Sequence, residues 1–250
     1  MTTLTSSAPF SVESTLGEIV AARPALARVF ERLGLDYCCG GKQTLAAACA
    51  RKGLKPEAVI ELVTLEAAAT ANRTDGSRED AINAAHLSLT QLADHIEATH
   101  HAYVKTELPR LAEMAERVAR KHGWRDARLP GVWQLVLELG NEMFSHMQKE
   151  ERVLFPFVRQ IDQDPTSGFH CGSIANPIRQ MEAEHEIAGN AVARLRELTD
   201  GFTPDAESCN THRGLLAGLA EFESDLHLHV HKENNILFPR ALERAAQAGA

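Results

Sequence analysis

The 250-residue sequence is poor in aromatic side chains and has no long apolar run. Phe, Trp and Tyr make up 5% of the residues, although apolar residues in total reach 44%. Because no apolar stretch approaches the roughly 20 residues that span a bilayer, we expect a soluble protein without a membrane partner. The first residues, MTTLTSSAPFSVEST, lack the basic and apolar regions of a secretory signal, so the expected location is cytoplasmic.

The basic residues and the cysteines argue against a nucleic-acid-binding protein and against a fold built on disulfides or a cysteine zinc site. The 26 Lys and Arg are outnumbered by 34 Asp and Glu, and the resulting net charge of -8 argues against nucleic acid as a partner. The five cysteines form neither a disulfide framework nor a Cys-x-x-Cys zinc pattern, so reduced thiols are expected. Histidine is the unusual residue type instead, with 12 copies that lie mostly in the second half of the chain.

Two stretches repeat a histidine and a glutamate at helical spacing. HMQKEERVLFP begins at His146 and HVHKENNILFP begins at His229, and both read His-x-x-Lys-Glu-x-x-β-branched-Leu-Phe-Pro. A His and a Glu four residues apart lie on one face of an α-helix, so each copy offers an imidazole and a carboxylate to one point in space. A single copy is more typical of a buried or solvated pair, but two matching copies favour metal ligands.

The hydrophobic pattern predicts an all-α protein with a small N-terminal helical domain followed by a four-helix bundle. Residues 1–70 are expected to form the small domain, which contains a glycine-rich turn with two adjacent cysteines. The polar residues 71–79 are expected to form a linker, and residues 80–250 the bundle. Within the bundle, long helices are predicted at about 82–121, 130–161, 175–200 and 210–246.

The sequence repeat between the two halves of the predicted bundle indicates six metal ligands. The motifs are 83 residues apart, and moving 83 residues back from His185 reaches residue 102, next to His101. Each half thus supplies one lone His and one His-x-x-x-Glu pair. Two bridging carboxylates and four imidazoles suit two metal ions, with iron expected before manganese. The predicted ligands are His101, His146, Glu150, His185, His229 and Glu233.

Several other histidines are alternatives to this set. One apolar stripe of the first helix, through Leu89, Leu92 and Ile96, favours His100 as the ligand, while Val104, Leu108 and Leu111 favour His101. The repeat offset favours His101. His122 lies about 31 Å farther along a continuous helix and is left out of the site. His231 is expected outside the core, and its pairing with His227 has no counterpart in the first motif.

Four further residues are candidates for supporting roles. Glu142, one turn before His146, and Glu184, beside His185, are candidates for orienting the ligands or lining an iron exit path, with solvent-facing charge as the alternative. Cys38 and Cys39 are too close for an unstrained disulfide. Their candidate roles are contact with a metal or cluster, redox exchange and a thiol contact for a partner, with plain burial as the alternative.

Three stretches of the sequence resemble parts of two known domains. DYCCGGKQTL at 36–45 is similar to the signature of the ScdA-type N-terminal domain, and the two His/Glu motifs resemble the hemerythrin-like di-iron domain. This pairing resembles the Repair of Iron Centers family of iron-sulfur cluster repair proteins. The resemblance implies a cytoplasmic protein made under nitrosative or oxidative stress. It also implies two non-haem iron ions with an oxo or hydroxo bridge, held by the same six residues.

The resemblance leaves several functions open. It implies iron-sulfur proteins as clients, and the centre could donate iron, remove nitric oxide by reduction, or do both. One alternative is a hemerythrin-like protein that binds or senses oxygen or nitric oxide, although typical oxygen carriers have five His ligands and this set has four. Another is an interaction module in which the metal is structural. The sequence leaves the oligomeric state open, with a homodimer as a candidate.

Overall fold

The computed structural model describes residues 10–71, 84–164 and 173–247. Every named element in these residues is helical, which confirms the predicted all-α class. The predicted linker at 71–79 lies outside the described residues, apart from Ala71. The chain divides into two compact units, one of residues 1–87 with 230–236 and one of residues 88–229 with 237–250. None of the helices described is long and apolar enough to cross a membrane.

The N-terminal part of the first unit contains four short helices whose ends the sequence marks. Thr15 forms a capping box with Glu18 at the first helix, and Gly34 and Gly53 end the second and third in the left-handed conformation. Pro24 opens a 3-10 turn, Pro24–Leu26, directly before the second helix. The four helices are α1 (Leu16–Ala22), α2 (Ala27–Leu33), α3 (Leu45–Lys52) and α4 (Pro56–Ala71).

Tyr37 anchors the two-cysteine turn to the core of the first unit. Its side chain is fully buried, its ring centroid lies 6.4 Å from that of Phe30, and its hydroxyl donates a hydrogen bond to Glu31. The surrounding core is made of apolar side chains from all four helices, among them Leu16, Ile19, Leu45 and Val63. The buried side chain of Tyr37 therefore fixes the backbone directly before the two cysteines.

Seven further helices follow in the described residues, and π-helical turns join six of them into three long helices. The π turns are Glu97–His101, Glu150–Leu154 and Glu233–Leu237. The helices are α5 (Leu89–Ile96), α6 (Ala102–His122), α7 (Leu129–Lys149), α8 (Phe155–Gln163), α9 (Ala175–Leu198), α10 (Asn210–Lys232) and α11 (Phe238–Ala246). The four long helices predicted for the bundle are thus present, although three of them are interrupted.

Local sequence explains where the long helices begin and widen. The first long helix starts at Leu89 rather than near residue 82, because Ser88 and Gln91 form a capping box there. Pro156 and Pro239 each fall in the first turn of the helix after a π turn. A proline has no N–H and crowds the carbonyl four residues earlier, so a wider turn before it is the lower-energy arrangement.

The buried stripe of each long helix leads to the predicted ligands. On α7, Val136, Leu139 and Met143 are buried at spacings of three and four residues, and His146 continues the same stripe. On α10, Leu219, Phe222 and Leu226 lead in the same way to His229. The polar ligands therefore occupy positions that the helical period assigns to the core.

Candidate metal centre

The six predicted ligands are all buried. None of them is more than 2% exposed, which is unusual for side chains of these types. Glu150 and Glu233 are both 0% exposed. Burying two carboxylates in the protein core costs free energy unless positive charge compensates them. A bound metal supplies such charge.

The ligands form two groups that share both glutamates. Within each group one ligand atom from every residue lies within 4.8 Å of the others, and Glu150 and Glu233 belong to both groups. This is the arrangement expected for two neighbouring metal positions with two shared carboxylates. The first group is His101, Glu150, His229 and Glu233, and the second is His146, Glu150, His185 and Glu233.

Glu150 directly contacts a histidine of each group. Its Oε2 lies 3.4 Å from Nε2 of His101 and 3.3 Å from Nε2 of His146. The histidines of each group also face each other, with ring centroids 5.0 Å apart for His101 and His229 and 4.7 Å apart for His146 and His185. Four imidazoles with two carboxylates are a donor set that suits iron or manganese, so the residues fit the implied metal.

The Leu-Phe-Pro end of each motif places a phenylalanine against a ligand. Phe155 stacks on the ring of His101 with a centroid distance of 5.6 Å, and Phe238 stacks on His185 at 6.0 Å. The two phenylalanines occupy equivalent positions in the repeat, and each covers the lone histidine of its own half. This role was not predicted from the sequence, although the matching apolar runs were its signal.

Comparison with known proteins assigns the two parts of the chain to two families of domains. Residues 12–69 match a domain of unknown function, ScdA_N (DUF542), and residues 92–241 match the hemerythrin HHE cation binding domain. The first match contains the two-cysteine turn. The second contains all six ligands, and its description as cation binding agrees with their geometry.

Relatives that align along nearly the whole chain share one name. The iron-sulfur cluster repair protein YtfE of Pectobacterium carotovorum subsp. carotovorum is 37% identical over 92% of this chain and 97% of its own length. That of Escherichia coli O157:H7 is 36% identical over the same shares, and that of Musicola paradisiaca is 37% identical over 94% and 98%. The chain belongs to the iron-sulfur cluster repair protein family. This confirms the resemblance drawn from its motifs.

In this family member, two carboxylates outside the ligand groups contact predicted ligand histidines at the ring nitrogen that faces away from the centre. Nδ1 of His101 lies 2.8 Å from Glu151, and Nδ1 of His146 lies 2.9 Å from Glu184. A carboxylate at Nδ1 fixes the ring so that Nε2 faces the centre. Glu184 was a candidate for this contact, whereas Glu151 was missed, although it directly follows a predicted ligand. Glu142, the other candidate, is exposed on α7.

The surroundings of the outer carboxylates keep them ionised. Burial alone would raise the pKa of Glu184, but hydrogen bonds from Gln180, Lys149 and His146 outweigh it and lower the pKa to about 2. At Glu151, burial again opposes ionisation, while Lys105 and His101 lower the pKa. Both side chains are therefore negative at neutral pH and favour a proton on the Nδ1 that they contact.

The alternative histidines do not belong to either ligand group. His100 is as buried as His101, but it stacks on His229 and bonds to Asp225 at 2.7 Å, and the ligand groups contain only His101. His122 lies 3.3 Å from the Cys209 sulfur, outside both groups. The expectation that His231 lies outside the core is wrong, because it is 3% exposed.

The two-cysteine turn belongs to the first unit and forms a group of its own. Cys38 is buried, Cys39 is partly exposed, and both are free thiols. Together with Asp36 they make the third cluster of metal-ligating side chains among the described residues. None of the six bundle ligands belongs to this cluster.

Proposed function

We propose that the chain holds two iron ions, joined by an oxo or hydroxo bridge, and takes part in the repair of iron-sulfur clusters damaged by nitrosative or oxidative stress. The observation that carries the proposal is the position of Glu150, within 3.4 Å of a histidine from each ligand group. Its relatives' name, iron-sulfur cluster repair protein, supports the biological role.

The protein residues divide the work at this centre. Glu150 and Glu233 would bridge the two metal positions, and each position would receive two further imidazoles. Glu151 and Glu184 orient His101 and His146 from outside. When bound by these residues, iron would supply ligand exchange and electron transfer with small molecules such as nitric oxide or oxygen.

The donor set suits release of iron as well as reaction with nitric oxide. Carboxylate and imidazole ligands hold iron less firmly than the thiolates of an iron-sulfur cluster, so transfer from this centre to a damaged cluster runs towards the softer ligands. The clients are therefore iron-sulfur proteins. Cys38 and Cys39, as the paired thiols of the chain, serve the delivery step in this proposal.

Metal analysis of protein purified without oxygen tests the centre. We expect about two irons per chain, since six ligands are arranged in two groups. Glu150→Ala or Glu233→Ala should disturb both metal positions because each carboxylate is shared. His122→Ala is the control and should keep its iron. A stoichiometry near one, zinc in place of iron in protein from iron-replete cells, or equal loss in all three variants contradicts the proposal.

Repair assays test the division between metal holding and delivery. The double variant Cys38→Ser, Cys39→Ser should keep its iron and visible absorption, because neither cysteine is in a bundle ligand group. It should lower the reactivation of a cluster-containing enzyme in stressed cells, since serine hydroxyls do not replace thiolates as iron ligands at neutral pH. Loss of iron from the variant, or repair at the normal rate, contradicts this division.

A further inference from the structure

The side chain of Asp36 organises the two-cysteine turn. Its carboxylate accepts hydrogen bonds from the backbone N–H groups of Cys38, Cys39 and Gly40 at 3.1, 3.0 and 2.9 Å. The Cys38 thiol donates to the same carboxylate at 3.1 Å. This places one carboxylate oxygen and both sulfurs within 4.8 Å of one another.

Asn235 fixes the same turn from its other side. Its Nδ2 donates to the carbonyl oxygens of Tyr37 and Cys38, at 3.2 and 2.9 Å. Only glycine fits at position 41, because a Cβ there would overlap Oδ1 of Asn235 and approach the Tyr37 oxygen to 2.6 Å. The turn is therefore held by backbone contacts that do not involve its sulfur atoms, and the thiols are positioned before any ligand binds.

The chemistry of this cluster differs from that of the bundle centre. Two sulfurs and one carboxylate oxygen select thiophilic cations, whereas the bundle offers nitrogen and oxygen alone. The pKa of the Cys38 thiol is raised, chiefly by a hydrogen bond with Cys39 and secondly by burial. The thiol therefore keeps its proton until a cation displaces it.

We infer that Asp36, Cys38 and Cys39 form a second metal site, which binds one thiophilic divalent cation such as zinc. Three protein ligands leave a position open on a four-coordinate cation, so an outside thiolate or a water molecule can complete the shell. The two cysteines of this site are the same thiols that serve delivery in the proposed function. Its existence does not rest on that function, because it needs only residues of the first unit.

Zinc binding to the full-length, iron-loaded protein tests the site. One equivalent of zinc is added without oxygen in the presence of a phosphine reductant, and iron and zinc are counted after desalting. We expect about one bound zinc per chain with no loss of iron. X-ray absorption at the zinc edge should show two sulfur neighbours at about 2.3 Å and oxygen neighbours at about 2.0–2.2 Å. Sulfur neighbours distinguish this site from the bundle even if the bundle holds no iron.

Variants separate ligands from scaffold. The double variant Cys38→Ser, Cys39→Ser should lose this zinc, whereas Cys209→Ser, which removes another partly exposed thiol, should keep it. Asp36→Asn retains an oxygen for the turn but loses the charge, so zinc affinity should fall by about tenfold or more. Zinc with fewer than two sulfur neighbours, zinc exchanged for iron, or undiminished uptake by the double cysteine variant overturns the inference.

Discussion

Glu184 and Glu151 each contact Nδ1 of a histidine in the predicted ligand set. Glu184→Gln keeps the size of the side chain but removes the charge that favours a proton on Nδ1 of His146. Such outer contacts are typically worth about 10–100-fold in metal affinity, and we expect a loss of this size. Glu151→Gln should act in the same way through His101. Competition with a chelator measures the affinity.

Glu186→Gln is the matched control for the outer carboxylates. Glu186 is exposed on α9, two residues after Glu184, so this variant makes the same change of charge without a contact to a ligand. Its iron affinity should equal that of the wild type, and the melting temperatures of the three metal-free variants should agree. An equal loss of iron at Glu186 would show that net charge, rather than ring orientation, controls affinity.

His212 is expected to make stability depend on pH without involving the ligands. It lies 17 residues before His229, about 25 Å along α10. Burial lowers its pKa below the usual value of 6.5. The unfolded chain therefore takes up a proton at this residue first as the pH falls, and the stability that neutral His212 contributes is lost from about pH 6.5 downwards.

The variant His212→Gln isolates this effect. Its side chain does not titrate, so the difference in unfolding free energy between wild type and variant should shrink between about pH 8 and about pH 5. Urea unfolding of both proteins at each pH measures the difference. A constant difference would mean that His212 titrates alike in the folded and unfolded states.

At the scale of residues, the sequence indicated which His and Glu side chains share a helix face, but not which outer carboxylates contact them. Each His-x-x-x-Glu pair lies on one helix, where spacing alone determines the shared face. Glu151 and His101, in contrast, are 50 positions apart on different helices. Their contact depends on how the two helices are rotated against each other, which spacing along one helix does not determine. The same reason applies to Asn235, whose carbonyl partners lie almost 200 positions away.

At the scale of helices, the uncertainty between His100 and His101 was a sign of a π turn. The buried stripe before the turn, ending at Ile96, is in phase with His100, and the stripe after it, beginning at Val104, is in phase with His101. A π turn inserts one residue and shifts the phase by that amount. Both histidines are consequently buried, and the predicted continuous helix contains the turn Glu97–His101. Two stripes out of phase by one residue could have predicted it.

Glycines on two helices test how closely the bundle is packed. Gly140 on α7 has no atom within 4 Å of an added Cβ, so Gly140→Ala should stabilise the protein by about 0.5–1 kcal/mol through helix propensity. Gly218 on α10 is different, because its Cβ would lie 2.7 Å from Cδ2 of the buried Leu111. Gly218→Ala should therefore destabilise the protein by about 1–3 kcal/mol.

Thermal unfolding of these two variants provides the comparison. The melting temperature should rise for Gly140→Ala and fall for Gly218→Ala, although the two substitutions are chemically identical. Shifts in the same direction would show that α6 and α10 do not approach as closely as the Leu111 contact indicates.

At the scale of the whole molecule, we expect residues 80–250 to fold and bind metal alone. All six ligands lie within residues 92–241, the range that matches the hemerythrin HHE cation binding domain. The fragment should remain soluble, give a helical circular dichroism spectrum and hold as much iron as the full chain. A fragment that is insoluble or free of metal would show that the first 70 residues complete its core.

The fold class and the bundle were predictable because helical periodicity is repeated many times, so an error at one position changes little. The expected division at 1–70 and 80–250 rests on polar composition alone and stays a prediction. Sequence gave no sign that residues 230–236 group with residues 1–87. Such grouping depends on the few side chains that meet there, including His231 and Asn235, rather than on a periodic pattern.

The doubled motif also has a consequence for ancestry. Each half of the bundle carries one lone histidine, one His-x-x-x-Glu pair and one phenylalanine that stacks on the lone histidine. A peptide of half the length, paired with a copy of itself, would supply both shared glutamates and all four imidazoles. Duplication and fusion of such a gene would yield the present chain and free each half to diverge. Gln148 and Arg152 in one motif, against His231 and Asn235 in the other, are differences that two identical copies could not carry.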